Sequence, residues 1–239
     1  MSERPASVVE AIEILRAKAV REFDEPIQLA SGRMSRHFVD GKAGLSRAVD
    51  LRVACEAIVD LAAAAGIEFD AAGGLTLGAD HLAVGVAYAA DGEWFFVRKE
   101  PKDRGTGQQI EGAHVGEGVR VLVVEDVVST GGSMFKAIDV IEATGATVVA
   151  ASTLLARGDE AGAELERRGI PFLPLSTYAD FPAVRHPIRQ RIRNPDRHVG
   201  VQSSLATTTA SIDDDEHWRT QVYRETIRAR GQVRKAQGP

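Results

Sequence analysis

An α/β fold is predicted, a doubly wound and mostly parallel sheet flanked by helices, with an N-terminal hairpin and a C-terminal extension. Two observations carry it. From Leu51 to Leu175, short apolar runs alternate with segments of helical spacing, the pattern of strands joined by crossover helices. Within that pattern, Val121 to Val124 form a continuous aliphatic run suited to a strand buried on both faces. A loop of small residues, Val127 to Ser133, then leads into Met134 to Ala143, which has helical spacing.

Taken in order, Ser7 followed by Glu10 has the form of a capping box, and Val8, Ile12, Leu15 and Val20 keep a helical stripe through about Glu22. Two alternating extended pieces around Ser31 and Gly32 predict a β-hairpin. Leu51 to Ala65 is an alanine-rich helix ended by Gly66, and Ala71 to Leu77 a core strand. Gly78-Ala-Asp80 forms a loop into the helix His81 to Ala90, and Trp94 to Val97 is a short strand. Arg98 to Gly112 is charged and poor in apolar residues. After the strand and helix already described come a strand at Val148 to Leu155, a helix at Ala161 to Arg168 and a last strand at Phe172 to Leu175.

Past about Tyr178 the character changes. Eleven Arg and Lys stand there against seven Asp and Glu, so this tail is +4 and the body −9 of the net −5. The division expected is therefore a body over 1–177 and a basic, polar extension over 178–239 with a terminal helix, Trp218 to Lys235. A net charge of −5 argues against whole-protein attraction to nucleic acid or anionic membrane. Cys55 is the only cysteine, which excludes an intrachain disulfide and fits a reducing compartment. No apolar run approaches membrane-spanning length. A cytoplasmic protein with neither membrane nor nucleic-acid partner is expected.

The chemistry concentrates at Val-Val-Glu125-Asp126-Val127-Val128-Ser129-Thr130-Gly131-Gly132-Ser133. Glycines let backbone N–H groups converge, and the following helix adds its N-terminal partial charge, which together suit a phosphate. Ser129, Thr130 and Ser133 add hydroxyl donors. Two carboxylates at the strand's carboxyl end would repel that phosphate, so they ask for sugar hydroxyls or a divalent cation held mainly through water. A phosphate beside a pair of hydroxyls describes a ribose 5-phosphate. A buried strand with a turn and a helix cap would explain the glycines, but not the acidic pair joined to them.

This stretch resembles the phosphoribosyl-diphosphate (PRPP) motif of type I phosphoribosyltransferases, most closely the orotate branch. Three further segments resemble that branch in the family's order. Arg98-Lys99-Glu-Pro-Lys102-Asp103-Arg104-Gly, continuing to Gly112, is similar to its mobile catalytic loop; Leu29 to Lys42 resembles its N-terminal hood, with Phe38 in the aromatic place; Gly73 to Asp80 resembles its diphosphate loop. A type I phosphoribosyltransferase-like fold with an N-terminal hood over about 1–45 is implied. So is an Mg²⁺-dependent transfer of ribose 5-phosphate from PRPP to orotate, giving orotidine 5′-phosphate and diphosphate.

By the same resemblance Lys102, Asp103 and Arg104 are the catalytic residues of the loop. PRPP is bound by Arg98, Lys99, Lys102, Glu125, Asp126, Val127, Val128, Ser129, Thr130, Gly131, Gly132 and Ser133. Orotate is bound by Ser129, Phe38 and Arg157, the last suited to a bidentate contact with its carboxylate. Mg²⁺ is held through PRPP and water, near Asp126. Loop closure over a neighbouring subunit implies a homodimer with shared active sites. Three positions depart from the branch: Arg104 for a histidine, Ala30 for a lysine and Ala156 for an aspartate. Lys42 offers a positive charge close to the second. These departures leave open a phosphoribosyltransferase for another nucleobase, or a non-catalytic PRPP-sensing regulator.

Overall fold

The structure is a computed structural model and describes residues 4–28, 34–101 and 108–181, with Ser35 described in its backbone only. The chain divides into two compact units, 1–191 and 192–239. The second unit, and with it most of the predicted extension and its helix, lies outside the described residues. The first unit continues past residue 177: a 3₁₀ turn at Tyr178–Asp180 leads to Phe181, which is 2% exposed and belongs to the core.

Helix α1 (Ala6–Lys18) opens the unit, followed by the antiparallel pair β1 (Val20–Gln28) and β2 (Met34–Val39). The hairpin is as expected, although its turn at Ser31 and Gly32 lies outside the described residues. Two expectations fail here. The helix stops at Lys18, because Val20 is already paired with Val39 across the hairpin. No capping box forms: Pro5 is the N-cap, and the Ser7 hydroxyl donates to Asp60 Oδ2 at 2.6 Å, tying α1 to α3 (Ala48–Ala64). A four-residue helix, α2 (Gly41–Gly44), follows β2, with Asp40 Oδ1 accepting from Ala43 N at 3.0 Å.

The remaining elements are β3 (Ala71–Leu75), α4 (Asp80–Ala90), β4 (Glu93–Val97), β5 (Ile110–Gly112), β6 (Arg120–Val128), α5 (Gly132–Glu142), β7 (Thr147–Ala156), α6 (Glu160–Arg167) and β8 (Phe172–Thr177). Among the described residues they build one six-stranded sheet in the order β5-β4-β3-β6-β7-β8. Every neighbouring pair is parallel except β4 and β5. Alternate β6 residues serve opposite cores. Leu122 and Val124 pack with α1, α3 and α4, whereas Val121 and Val123 pack with α5 and α6. That two-residue period, with both faces covered, is the reason for the unbroken aliphatic run.

Three details differ from the sequence reading. β3 ends at Leu75 rather than Leu77, and the Thr76–Leu77 peptide bond that follows is cis. β5 lies inside the charged segment, where no apolar pattern announces it. β6 runs on to Val128 because β7 keeps pairing with it as far as Val128 and Ala156, so Glu125 and Asp126 stand within the strand and not beyond it. Among the described residues, no helix is long and apolar enough to cross a membrane.

Candidate active site at the strand switch

From β3 the chain passes through α4 to β4 on one side; from β5 it crosses to β6 on the other. Ligand crevices in such sheets lie at the carboxyl ends of the strands where that direction reverses. Here the β3–β6 ladder stops at Gly73 and Val123, while β6 and β7 stay paired. The exit loop of β3, Thr76 to Ala79, therefore faces the carboxyl half of β6. Contact is close: a β-carbon on Gly78 would lie 2.0 Å from Glu125 Oε1 and 3.2 Å from Asp126 Oδ1.

Glu125 is 6% exposed, and its Oε1 accepts from Asp126 N at 3.3 Å. Burial, reinforced by the neighbouring Asp126 charge, pushes its carboxyl up to about 8, with Lys42 opposing. Asp126 is better provided for. Its Oδ1 accepts from Val127 N at 2.7 Å and its Oδ2 from Lys42 Nζ at 2.5 Å, while Thr153 Oγ1 donates to its carbonyl at 3.1 Å. Beside them, Asp80 Oδ1 and His81 Nε2 are buried with no hydrogen-bond partner among the described residues.

The loop after β6 has the form an anion site needs. Gly131 adopts a left-handed φ of 86°, and a β-carbon there would meet the Phe135 ring at 2.5 Å, so only glycine fits. No side chain caps α5, and its first backbone bond runs from Phe135 N to Gly131 O at 2.8 Å. The N–H groups of Gly132, Ser133 and Met134 thus remain available to a ligand. Ser129 is half-buried; Thr130 and Ser133 are exposed.

Arg157 follows β7 and donates its backbone N–H to Val128 O at 2.7 Å. Its guanidinium lies 5.8 Å from the centre of the Phe38 ring, and its Nε is buried with no partner among the described residues. Burial lowers its pKa, opposed by Tyr178 and Asp126. A half-buried guanidinium with a buried, unused Nε–H donor is suited to an anionic acceptor. On the opposite flank, Thr76 N donates to Val97 O at 2.9 Å, which sets Arg98 next to the exit loop. Arg98 pairs with Glu111 at 3.6 Å, and Lys99 is exposed.

Of the residues singled out in the sequence, the fold brings Glu125 and Asp126 against the exit loop of β3 and sets Phe38 beside Arg157, while Arg98 follows β4 next to that loop and Lys99 is exposed. Lys102, Asp103, Arg104 and Ala30 lie outside the described residues. The contact that sequence reasoning missed is Lys42 on Asp126, a pairing 84 residues apart that no local pattern encodes; a lysine after Asp40-Gly41 was the one available signal. A cavity of about 540 Å³ runs along the outer side of α5, lined by Gln109, Phe135, Lys136 and Asp139 among others. It meets the glycine loop at Gly132 and holds neither carboxylate of the acidic pair.

Residues 57–169 match a sequence model described as the phosphoribosyl transferase domain. The orotate phosphoribosyltransferase of Pyrococcus furiosus is 37% identical over 147 residues, covering 62% of this chain and 80% of that protein. The orotate phosphoribosyltransferase of Methanothermobacter thermautotrophicus is 38% identical over 172 residues, covering 72% of this chain and 92% of that one. Among solved structures, the Mycobacterium tuberculosis orotate phosphoribosyltransferase in complex with PRPP superposes with a TM-score of 0.60 at 29% identity. That match covers 73% of this chain and 98% of the solved one.

Proposed function

The chain belongs to the orotate phosphoribosyltransferase family, and on that footing we propose that it transfers ribose 5-phosphate from PRPP to orotate, releasing diphosphate. The observation that carries the reading is the crevice at the strand switch. An uncapped helix N-terminus, two carboxylates and an arginine whose Nε is buried without a partner among the described residues lie around it. These suit in turn a 5-phosphate, a ribose diol and the carboxylate of orotate.

In the reaction, a ring nitrogen of orotate gives up its proton to the departing diphosphate or to water and forms a bond to C1 of the ribose as the C1–oxygen bond to diphosphate breaks. The bonding pair leaves with the diphosphate, and C1 passes through an oxocarbenium-like state. Val127 to Ser133 hold the 5-phosphate, and Glu125 and Asp126 hold the hydroxyls. Arg157 and Phe38, with Ser129, orient the base. Arg98, Lys99 and Lys102 neutralise the departing diphosphate, with Asp103 and Arg104 next to Lys102 in the sequence.

Among the described residues no cluster of three or more His, Cys, Asp or Glu forms a metal cage. A cation held by PRPP oxygens and water, with Asp126 and the unpartnered Asp80 Oδ1 as outer acceptors, fits these donors. Bound in that way, Mg²⁺ would supply positive charge to the diphosphate. The reading includes a homodimer with shared sites, supported by exposed apolar surface on the exit loop and α4, where Leu77 is 75% and Tyr88 85% exposed. It includes a reducing, cytoplasmic setting, consistent with Cys55, buried and held as a thiol with its pKa near 12.

The test is loss of orotate absorbance with purified protein, PRPP and Mg²⁺, alongside Asp126→Asn and Lys102→Ala. Turnover abolished by both substitutions is expected. Wild-type protein that binds PRPP yet leaves orotate unchanged would overturn orotate as the substrate.

A further inference from the structure

Lys42 is the second residue of α2 and sits on the hood, yet its ammonium reaches the floor of the crevice. Gly41 explains how. A β-carbon on Gly41 would lie 3.0 Å from Leu154 Cδ1 and 3.5 Å from Asp126 Cβ, so α2 rests directly on β6 and β7. The adjacent side chain then has only a short way to go. Asp126, whose side chain is 16% exposed, is held at both oxygens, by Lys42 on one side and by its neighbour's backbone on the other.

Anchoring of the hood does not depend on this pair. Asp40 N donates to Ala19 O at 2.9 Å, and Gly44 packs so tightly that a β-carbon would come within 2.6 Å of Ala19 Cβ. Val39 and Leu45 are buried in the core shared with α1 and α3. An ion pair whose lysine is half exposed would also contribute little to stability. What Lys42 does control is the direction of the Asp126 carboxylate, because the bond to Val127 alone leaves the other oxygen free to swing.

Resting on the reading of the crevice as a PRPP site, we infer that Lys42 is a positioning residue that aims the Asp126 carboxylate at the ribose hydroxyls of PRPP. The hood thereby acts on the sugar as well as covering the base. The ammonium also puts a positive charge beside the Glu125, Asp126 and Asp80 side chains, in the crevice where the phosphates of PRPP would bind.

The experiment uses the full chain with Lys42→Ala and Lys42→Arg. PRPP binding is measured by calorimetry without orotate, and KM and kcat are measured for each substrate. Loss of one charge-assisted contact predicts that Lys42→Ala raises the Kd and KM for PRPP about tenfold, with the orotate KM moving by less than about twofold. Lys42→Arg recovers most of the PRPP affinity. Equal losses for both substrates, PRPP binding that is unchanged or tighter in Lys42→Ala, or an arginine variant no better than alanine would each overturn the inference. The two readings fail separately. An inactive wild type would sink orotate transfer while PRPP calorimetry still reported on Lys42, whereas an active wild type with an unaffected Lys42→Ala would sink only the positioning role.

Discussion

Gly78 and Glu125 leave no room for a side chain between them, since a β-carbon on the glycine would sit 2.0 Å from the carboxylate oxygen. Gly74, four residues earlier, is as tightly placed, but against Val124 O of the backbone at 2.2 Å. The two glycines therefore predict different failures. Gly78→Ala displaces the free end of a side chain, so a stability loss of about 1 kcal/mol is expected together with a clear loss of PRPP affinity. Gly74→Ala pushes strand against strand and should cost on the order of 3 kcal/mol. Urea unfolding and PRPP calorimetry on both variants check the contrast. Equal stability losses would refute it.

Glu125 gives stability a pH dependence of definite sign. Its carboxyl is raised from 4.5 to about 8 in the folded protein. Between those values the unfolded chain has released the proton while the folded chain keeps it. The group's contribution is thus complete below about 4.5 and is lost as pH rises toward 8. Unfolding free energies of wild type and Glu125→Gln, compared from pH 5 to pH 8.5, should diverge steadily in favour of the glutamine protein. Parallel curves would show that Glu125 is ionised throughout.

Arg157 should discriminate between bases. Removing a bidentate, half-buried guanidinium is expected to raise the orotate KM on the order of tenfold to a hundredfold, with the PRPP Kd little changed. Arg157→Lys keeps the charge and loses the planar fork, so it should recover only part of the loss. Competition by uracil should improve against orotate in Arg157→Ala. A loss of PRPP affinity in its place would move Arg157 out of the base site.

Shared sites predict complementation. Lys102→Ala and Asp126→Asn, each inactive alone, should regain about a quarter of wild-type activity when unfolded and refolded together, because half the dimers then pair the two chains and each carries one intact site. No recovery would mean that each chain completes its own site.

The sheet was legible because its signals are local. The aliphatic runs, the helix periodicities and the Gly131-Gly132 turn each follow from neighbours within a few residues. Where two signals compete, the sequence misleads. Val20 fits both a helical stripe and a strand, and its partner Val39 decides. Ser7 has the sequence of a cap and the position to reach Asp60, which wins with a bond of 2.6 Å. α2 is too short to show a period, and β5 is an edge strand set among charges. Of the site, the acidic pair and the anion loop could be read from one stretch. The bond from Lys42, the clash that makes residue 78 a glycine and the unsatisfied Arg157 arise only when distant elements meet.

β4 and β5 pair antiparallel from Phe95 and Gly112 to Val97 and Ile110, and Arg98 N donates to Gln109 O at 2.8 Å just beyond. The basic segment therefore begins and ends in the sheet. Its closure is met by that ladder, and the entropic cost of altering its length grows only logarithmically. The scaffold and the loop chemistry are in this sense separable inheritances. On the proposed reading, changes between Arg98 and Gln109 are therefore expected to alter the handling of diphosphate more than the stability of the sheet.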